Sequence, residues 1–63
     1  MDEFKTRLIE EQRQLEEKLN KLNAFNAGEK AGSIDPAQKA LLVIQAGAMY
    51  TYNEVLKARI ARL

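Results

Sequence analysis

The chain has 63 residues, with 10 Lys and Arg against 9 Asp and Glu and a net charge of +1. One small domain is the most this length can build. The absence of Cys and His excludes a thiol nucleophile, an imidazole acid–base group, a disulfide framework and a zinc site of the usual kind.

A metal site would need oxygen ligands alone, and no metal or cofactor is expected. The near-neutral charge argues against a binder of duplex nucleic acid, which needs positive charge to meet phosphates. Met1 is followed by Asp2, Glu3 and Phe4, unlike the basic-then-apolar start of a secretory leader. The longest apolar stretch, residues 40–44, is too short to span a bilayer. A cytoplasmic protein without membrane contact is the expectation.

Residues 2–25 lack Gly and Pro and are rich in Glu, Lys, Gln, Leu and Arg, all good helix formers. Phe4, Leu8, Leu15, Leu19, Leu22 and Phe25 fall at helical spacing and mark one stripe. Glu3–Arg7, Arg13–Glu17 and Glu17–Lys21 are charge pairs at spacing four. The pattern predicts an amphipathic helix over about 2–25.

Residues 26–35 read as a connecting loop. Within it, NAGEKAGS gathers two Gly, an Asn and a Ser, which stop a helix. Gly28 is placed for the left-handed conformation of a helix end. The lack of bulky side chains points to a mobile surface turn.

Asp35 and Pro36 then start a second helix, Asp as cap and Pro at the first position. It is expected to run over about 36–62, with Lys57, Arg59 and Arg62 near its C-terminal dipole end. Its apolar residues are Leu41, Leu42, Ile44, Ala48, Met49, Tyr52, Val55, Leu56, Ile60 and Leu63. Leu42, Met49, Leu56 and Leu63 form an unbroken heptad series. Gly47 is a mid-helix blemish and suggests a close backbone approach.

The fold read from this is all-α: one domain, 1–63, an antiparallel two-helix hairpin that oligomerises into a helical bundle. Counting back from the turn pairs Leu22 with Leu41 or Leu42, and Leu19 with Ile44 or Gln45. Leu15 then meets Ala48 or Met49, Leu8 meets Val55 or Leu56, and Phe4 meets Ile60. One partner helix cannot cover Leu41, Ile44, Ala48, Val55 and Ile60 as well as the heptad series. A chain this short without a staple also rarely stabilises itself. Self-association is therefore expected, with residues 46–48 as a candidate close crossing.

Three features bear on function. Glu11 and Gln12 interrupt the first stripe and lie opposite Tyr52 and Asn53. They form either a polar layer that fixes register or a pocket at a subunit junction. Tyr50 and Tyr52 lie about 200° apart, so only one fits the seam. Tyr52 fits it, leaving Tyr50 for an oligomer contact or for stacking a nucleobase. Lys5, Arg7, Lys57, Arg59 and Arg62 should gather at the open end. There they either complement helix dipoles or bind phosphates. The heptad count puts Arg59 on the seam. Catalysis is not expected: the adjacent carboxylates of Glu10–Glu11 and Glu16–Glu17 diverge on a helix, and AGEKAGS lacks the spacing of a phosphate loop.

The stretches RLIEEQRQLEEKLNKLNAFNAGEK and AQKALLVIQAGAMYTYNEVLKARI resemble a short family of phage and prophage proteins named after an open reading frame of a crAss-like phage. The shared positions are Arg7, Leu8, Ile9, Leu15, Lys18, Leu19, Lys21, Leu22 and Phe25, then Gln38, Leu41, Leu42, Gln45, Met49, Tyr52, Leu56, Arg59 and Ile60. Asn26, Ala27 and Gly28 depart from that family's Ile-x-Ser stretch. The architecture is also similar to phage helical-hairpin sponges, which sequester the cyclic-nucleotide signals of CBASS and Thoeris defence between protomers.

The resemblance implies a non-enzymatic oligomer, in the host cytoplasm, that holds a cyclic nucleotide or other phosphorylated small molecule. Tyr50 and Tyr52 with Arg7, Lys57, Arg59 and Arg62 are the candidate ligand-binding residues. The alternatives are a protein–protein module that inhibits a host defence protein, and an assembly element with no ligand.

Overall fold

The computed structural model describes residues 2–63. Helix α1 (Glu3–Ala27) and helix α2 (Pro36–Ala61) are joined by a 3-10 helix, Glu29–Ser33. They form the expected all-α hairpin, a rod of 47 × 15 × 13 Å.

Each long helix begins on an aspartate. The Asp2 carboxylate accepts from the backbone N–H groups of Phe4 and Lys5, at 3.0 and 3.3 Å. Asp35 accepts from Gln38 N–H at 3.2 Å, and Pro36 occupies the first turn. Both carboxylates satisfy donors that no helical carbonyl can reach.

The connection differs from the sequence expectation. Helix α1 continues through Asn26 to Ala27, because the Asn26 side chain is used across the hairpin. Its amide donates to the Leu42 carbonyl at 3.3 Å. Gly28 is extended rather than left-handed, with φ −90° and ψ 170°. The chain leads into a 3-10 helix, which needs no positive φ. That segment is no bare surface turn: Ala31 is fully buried at the closed end, and the Ser33 hydroxyl donates to the Lys30 carbonyl at 2.8 Å.

The seam between the helices follows alternating gaps of four and three. On α1 it runs through Leu8, Gln12, Leu15, Leu19 and Leu22. On α2 it runs through Leu42, Ala46, Met49, Asn53, Leu56 and Ile60, all at least half-buried. Leu8, Leu15 and Leu56 form the buried cluster, with Met49 and Ile60 packed against it. The pairings of Leu8 with Leu56 and Leu15 with Met49 follow the count from the turn.

Other pairings do not. Ile44 is exposed rather than opposite Leu19, because it sits about 160° round α2 from Leu42. Ala46 takes that place. Phe4 is exposed at the open end, and Ile60 packs on the leucine cluster instead. Leu63 lies beyond α2 and is also exposed. A Cβ added at Gly47 would meet nothing within 4 Å, so no close approach within the hairpin accounts for this glycine.

Candidate functional site

The middle of the seam is polar, and the polarity is paired. Asn53 is 3% exposed. Its side-chain oxygen accepts from the Gln12 amide at 3.1 Å, and its own amide donates to Glu16 at 3.2 Å. Gln12 also donates to Glu16 at 3.0 Å, and Lys57 Nζ lies 3.4 Å from the same carboxylate. Four side chains from two helices therefore close one network. The Asn53 hydrogen bond, then Lys57, hold the Glu16 carboxyl below its ordinary range, and Lys57 is raised in return, chiefly by Glu16.

On the opposite edge of the seam the Tyr52 hydroxyl donates to the Glu11 carboxylate. That hydrogen bond is the main reason the Tyr52 phenol is held above its usual range. Burial and the charge of Glu11 add to it, and Arg59 opposes it. The predicted juxtaposition of Glu11 and Gln12 with Tyr52 and Asn53 is thus present, and it takes the form of direct hydrogen bonds.

These contacts define two flanks. Glu11 and Glu16 are five residues apart, as are Tyr52 and Lys57, which is about 140° round a helix. Glu11 and Tyr52 mark one flank, and Glu16 and Lys57 the other. Arg59 follows Tyr52 by one heptad and lies on its flank. Arg7 precedes Glu11 by one turn and joins them. Arg62 continues round the outer face of α2.

Tyr50, one heptad before Lys57, is on the other flank. The six candidate residues therefore do not form one cluster. Tyr52, Arg59 and Arg7 share one flank towards the open end, Arg62 lies round on the outer face of α2, and Tyr50 and Lys57 are on the other flank.

The charge state of each differs. Lys57 is not a free cation of the open end, because it bridges Glu16 and Glu54. Arg7 pairs with Glu3 at 3.3 Å on the surface. Arg59 is exposed rather than on the seam, since the seam passes through Leu56 and Ile60 on either side of it. Among the described residues neither Arg59 nor Arg62 makes an ion pair. Tyr52 keeps 47% of its surface exposed and Tyr50 rather more. An aromatic face and uncompensated guanidinium groups can stack on a base and take phosphate oxygens.

Glu16 was missed as a partner in the polar layer. Its signal was present: Gln12–Glu16 and Asn53–Lys57 are each at spacing four, on helices that face each other.

Residues 2–62 match the Sequestin family. The chain belongs to this family. Its name is consistent with a sequestering role, as expected from the sequence. No curated protein and no solved structure matches the chain. No helix among the described residues is long and apolar enough to cross a membrane.

Proposed function

We propose that this Sequestin-family chain acts by stoichiometric capture. Its ligand is a cyclic nucleotide or related phosphorylated small molecule, held at junctions between copies. In this reading the protein serves a phage by lowering the free concentration of a host defence signal. Capture requires no catalytic group. It requires a surface that is both aromatic and cationic, and a way to enclose the ligand.

The observation that carries the reading is the flank where Tyr52 lies one heptad from Arg59. That arginine has no carboxylate partner among the described residues, and Arg7 lies on the same flank. One hairpin encloses no cavity among the described residues, so enclosure must come from a second protomer. The near-zero net charge disfavours indiscriminate phosphate binding and favours a local, shaped site.

Thermal unfolding with a panel of cyclic di- and trinucleotides tests this. A ligand at a hundred times its Kd adds about 2.7 kcal/mol to the native state. For a chain of this size that is a Tm rise of more than about 10 °C. The Arg59→Ala variant should lose most of the rise and keep its unliganded Tm. A flat response across the panel, or a full rise in the variant, overturns the reading.

A further inference from the structure

Helix α2 carries a second heptad stripe, on the side away from α1. It runs through Ala37, Leu41, Ile44, Ala48, Thr51, Val55, Ala58 and Arg62, again with gaps of four and three. Its large members are wet: Leu41 is 56%, Ile44 66% and Val55 51% exposed. Thr51 does not interrupt it, because its hydroxyl bonds back to the Gly47 carbonyl at 3.2 Å. The methyl can then serve the stripe. A folded monomer of this mass exposes about 4,100 Å², whereas this chain exposes 4918 Å². The excess is close to the roughly 800 Å² that each partner buries in a stable interface.

We propose that a second copy of the chain covers this stripe, α2 against α2, antiparallel and in one register. Leu41 lies opposite Ala58 of the second copy, Ile44 opposite Val55, and Ala48 opposite Thr51. Large then meets small at the ends, and the smallest layers sit at the centre beside Gly47. Arg62 reaches the end of the second copy that carries Asp35. At the edges Arg59 faces Gln38 and Glu54 faces Gly47, so no like charges meet.

A parallel pair would set Arg59 and Arg62 against their own copies at one end and the two Asp35 side chains at the other. Shifting the antiparallel pair by one heptad either leaves Leu41 beyond the helix end or removes the Ile44–Val55 layer. Resting on the capture reading, the same pairing places Gln38 and Gln45 of the second copy beside Arg59 and Tyr52. Each ligand groove is thus completed by the partner.

The lack of native cysteine makes the register directly testable. Ile44→Cys and Val55→Cys chains, mixed under mild oxidation without ligand, should form a disulfide-linked heterodimer. Neither should cross-link alone, because like positions lie about 16 Å apart along the axis, beyond disulfide reach. Leu41→Cys with Ala58→Cys is the second pair should the first fold poorly, with helicity checked by circular dichroism.

Self-cross-linking of either single variant, or none in both mixtures, overturns the proposal. Ala48→Glu should convert the dimer to monomer in sedimentation, and an unchanged dimer would also overturn it. A nucleotide panel that gives no shift leaves the cross-link untouched, so the two readings fail separately. A cross-linked dimer that has lost a shift seen in the free protein removes the groove alone.

Discussion

Asn53 is a polar residue at a position where the heptad calls for leucine. Its side chain satisfies the Gln12 amide and the Glu16 carboxylate together. Removing it opens a gap in the buried seam and takes the cross-helix acceptor from the Gln12 amide, while Glu16 keeps Gln12 and Lys57. Asn53→Ala should therefore cost about 1–3 kcal/mol, read as a lower Tm. The informative comparison is Gln12→Leu with Asn53→Leu, which deletes both ends of the pair and fills the seam. That double variant should match or exceed the native Tm, because buried polar pairs often stabilise less than apolar packing. A double variant as unstable as Asn53→Ala would show that the layer supplies stability rather than register. Leucine and its heptad partners were legible from spacing alone, and so was the opposition of Glu11–Gln12 to Tyr52–Asn53. The part played by Glu16 was not, because a glutamate at a flank position reads as solvated until its cross-helix neighbours are known.

At the scale of the element, helix α2 has two apolar faces and α1 has one. The sequence shows the excess on α2, but counting from the turn leaves Leu41, Ile44, Ala48 and Val55 as alternatives to their neighbours on the seam, and the structure exposes all four. The sequence count places Ile60 in the excess and Arg59 on the seam, because one heptad from Tyr52 gives Arg59, whereas one heptad from the buried Asn53 gives Ile60. Contact with α1 decides between the two counts. The turn was the least legible part. Gly and Asn signal a helix stop, but Asn26 bonding to Leu42 is a tertiary contact that local propensity does not contain. Gly47 illustrates the same limit. It lies mid-helix with open space around its Cα, so nothing within the hairpin requires a glycine there. Gly47→Ala should raise stability by up to about 1 kcal/mol through helix propensity, measured by urea unfolding. A loss instead would mean that the added methyl collides with something outside the hairpin, where the inferred pairing sets Glu54 of the second copy.

For the whole molecule the decisive quantity is surface. A rod of two helices has a single seam, and this one is broken at its centre by Gln12 and Asn53, so apolar burial inside one chain is small. Stability then has to be drawn from association, and association is concentration-dependent. For a dimer that unfolds to two separate chains, each tenfold rise in protein concentration adds about 1.4 kcal/mol to the folded side. Two 63-residue chains carry an unfolding entropy of roughly 0.26 kcal/mol/K, so Tm should climb by about 5 °C per decade of concentration. Scanning calorimetry or circular dichroism from micromolar to millimolar protein reads this directly. A Tm independent of concentration across that range would mean that one hairpin stands alone and that its outer stripe is left for something other than a second copy. The same dependence bears on capture: if each ligand groove has walls from two chains, binding and assembly are coupled. Ligand then strengthens association as association sharpens binding, so a fixed excess of nucleotide should raise Tm at every protein concentration and keep its climb per decade, the dimer still unfolding to two chains.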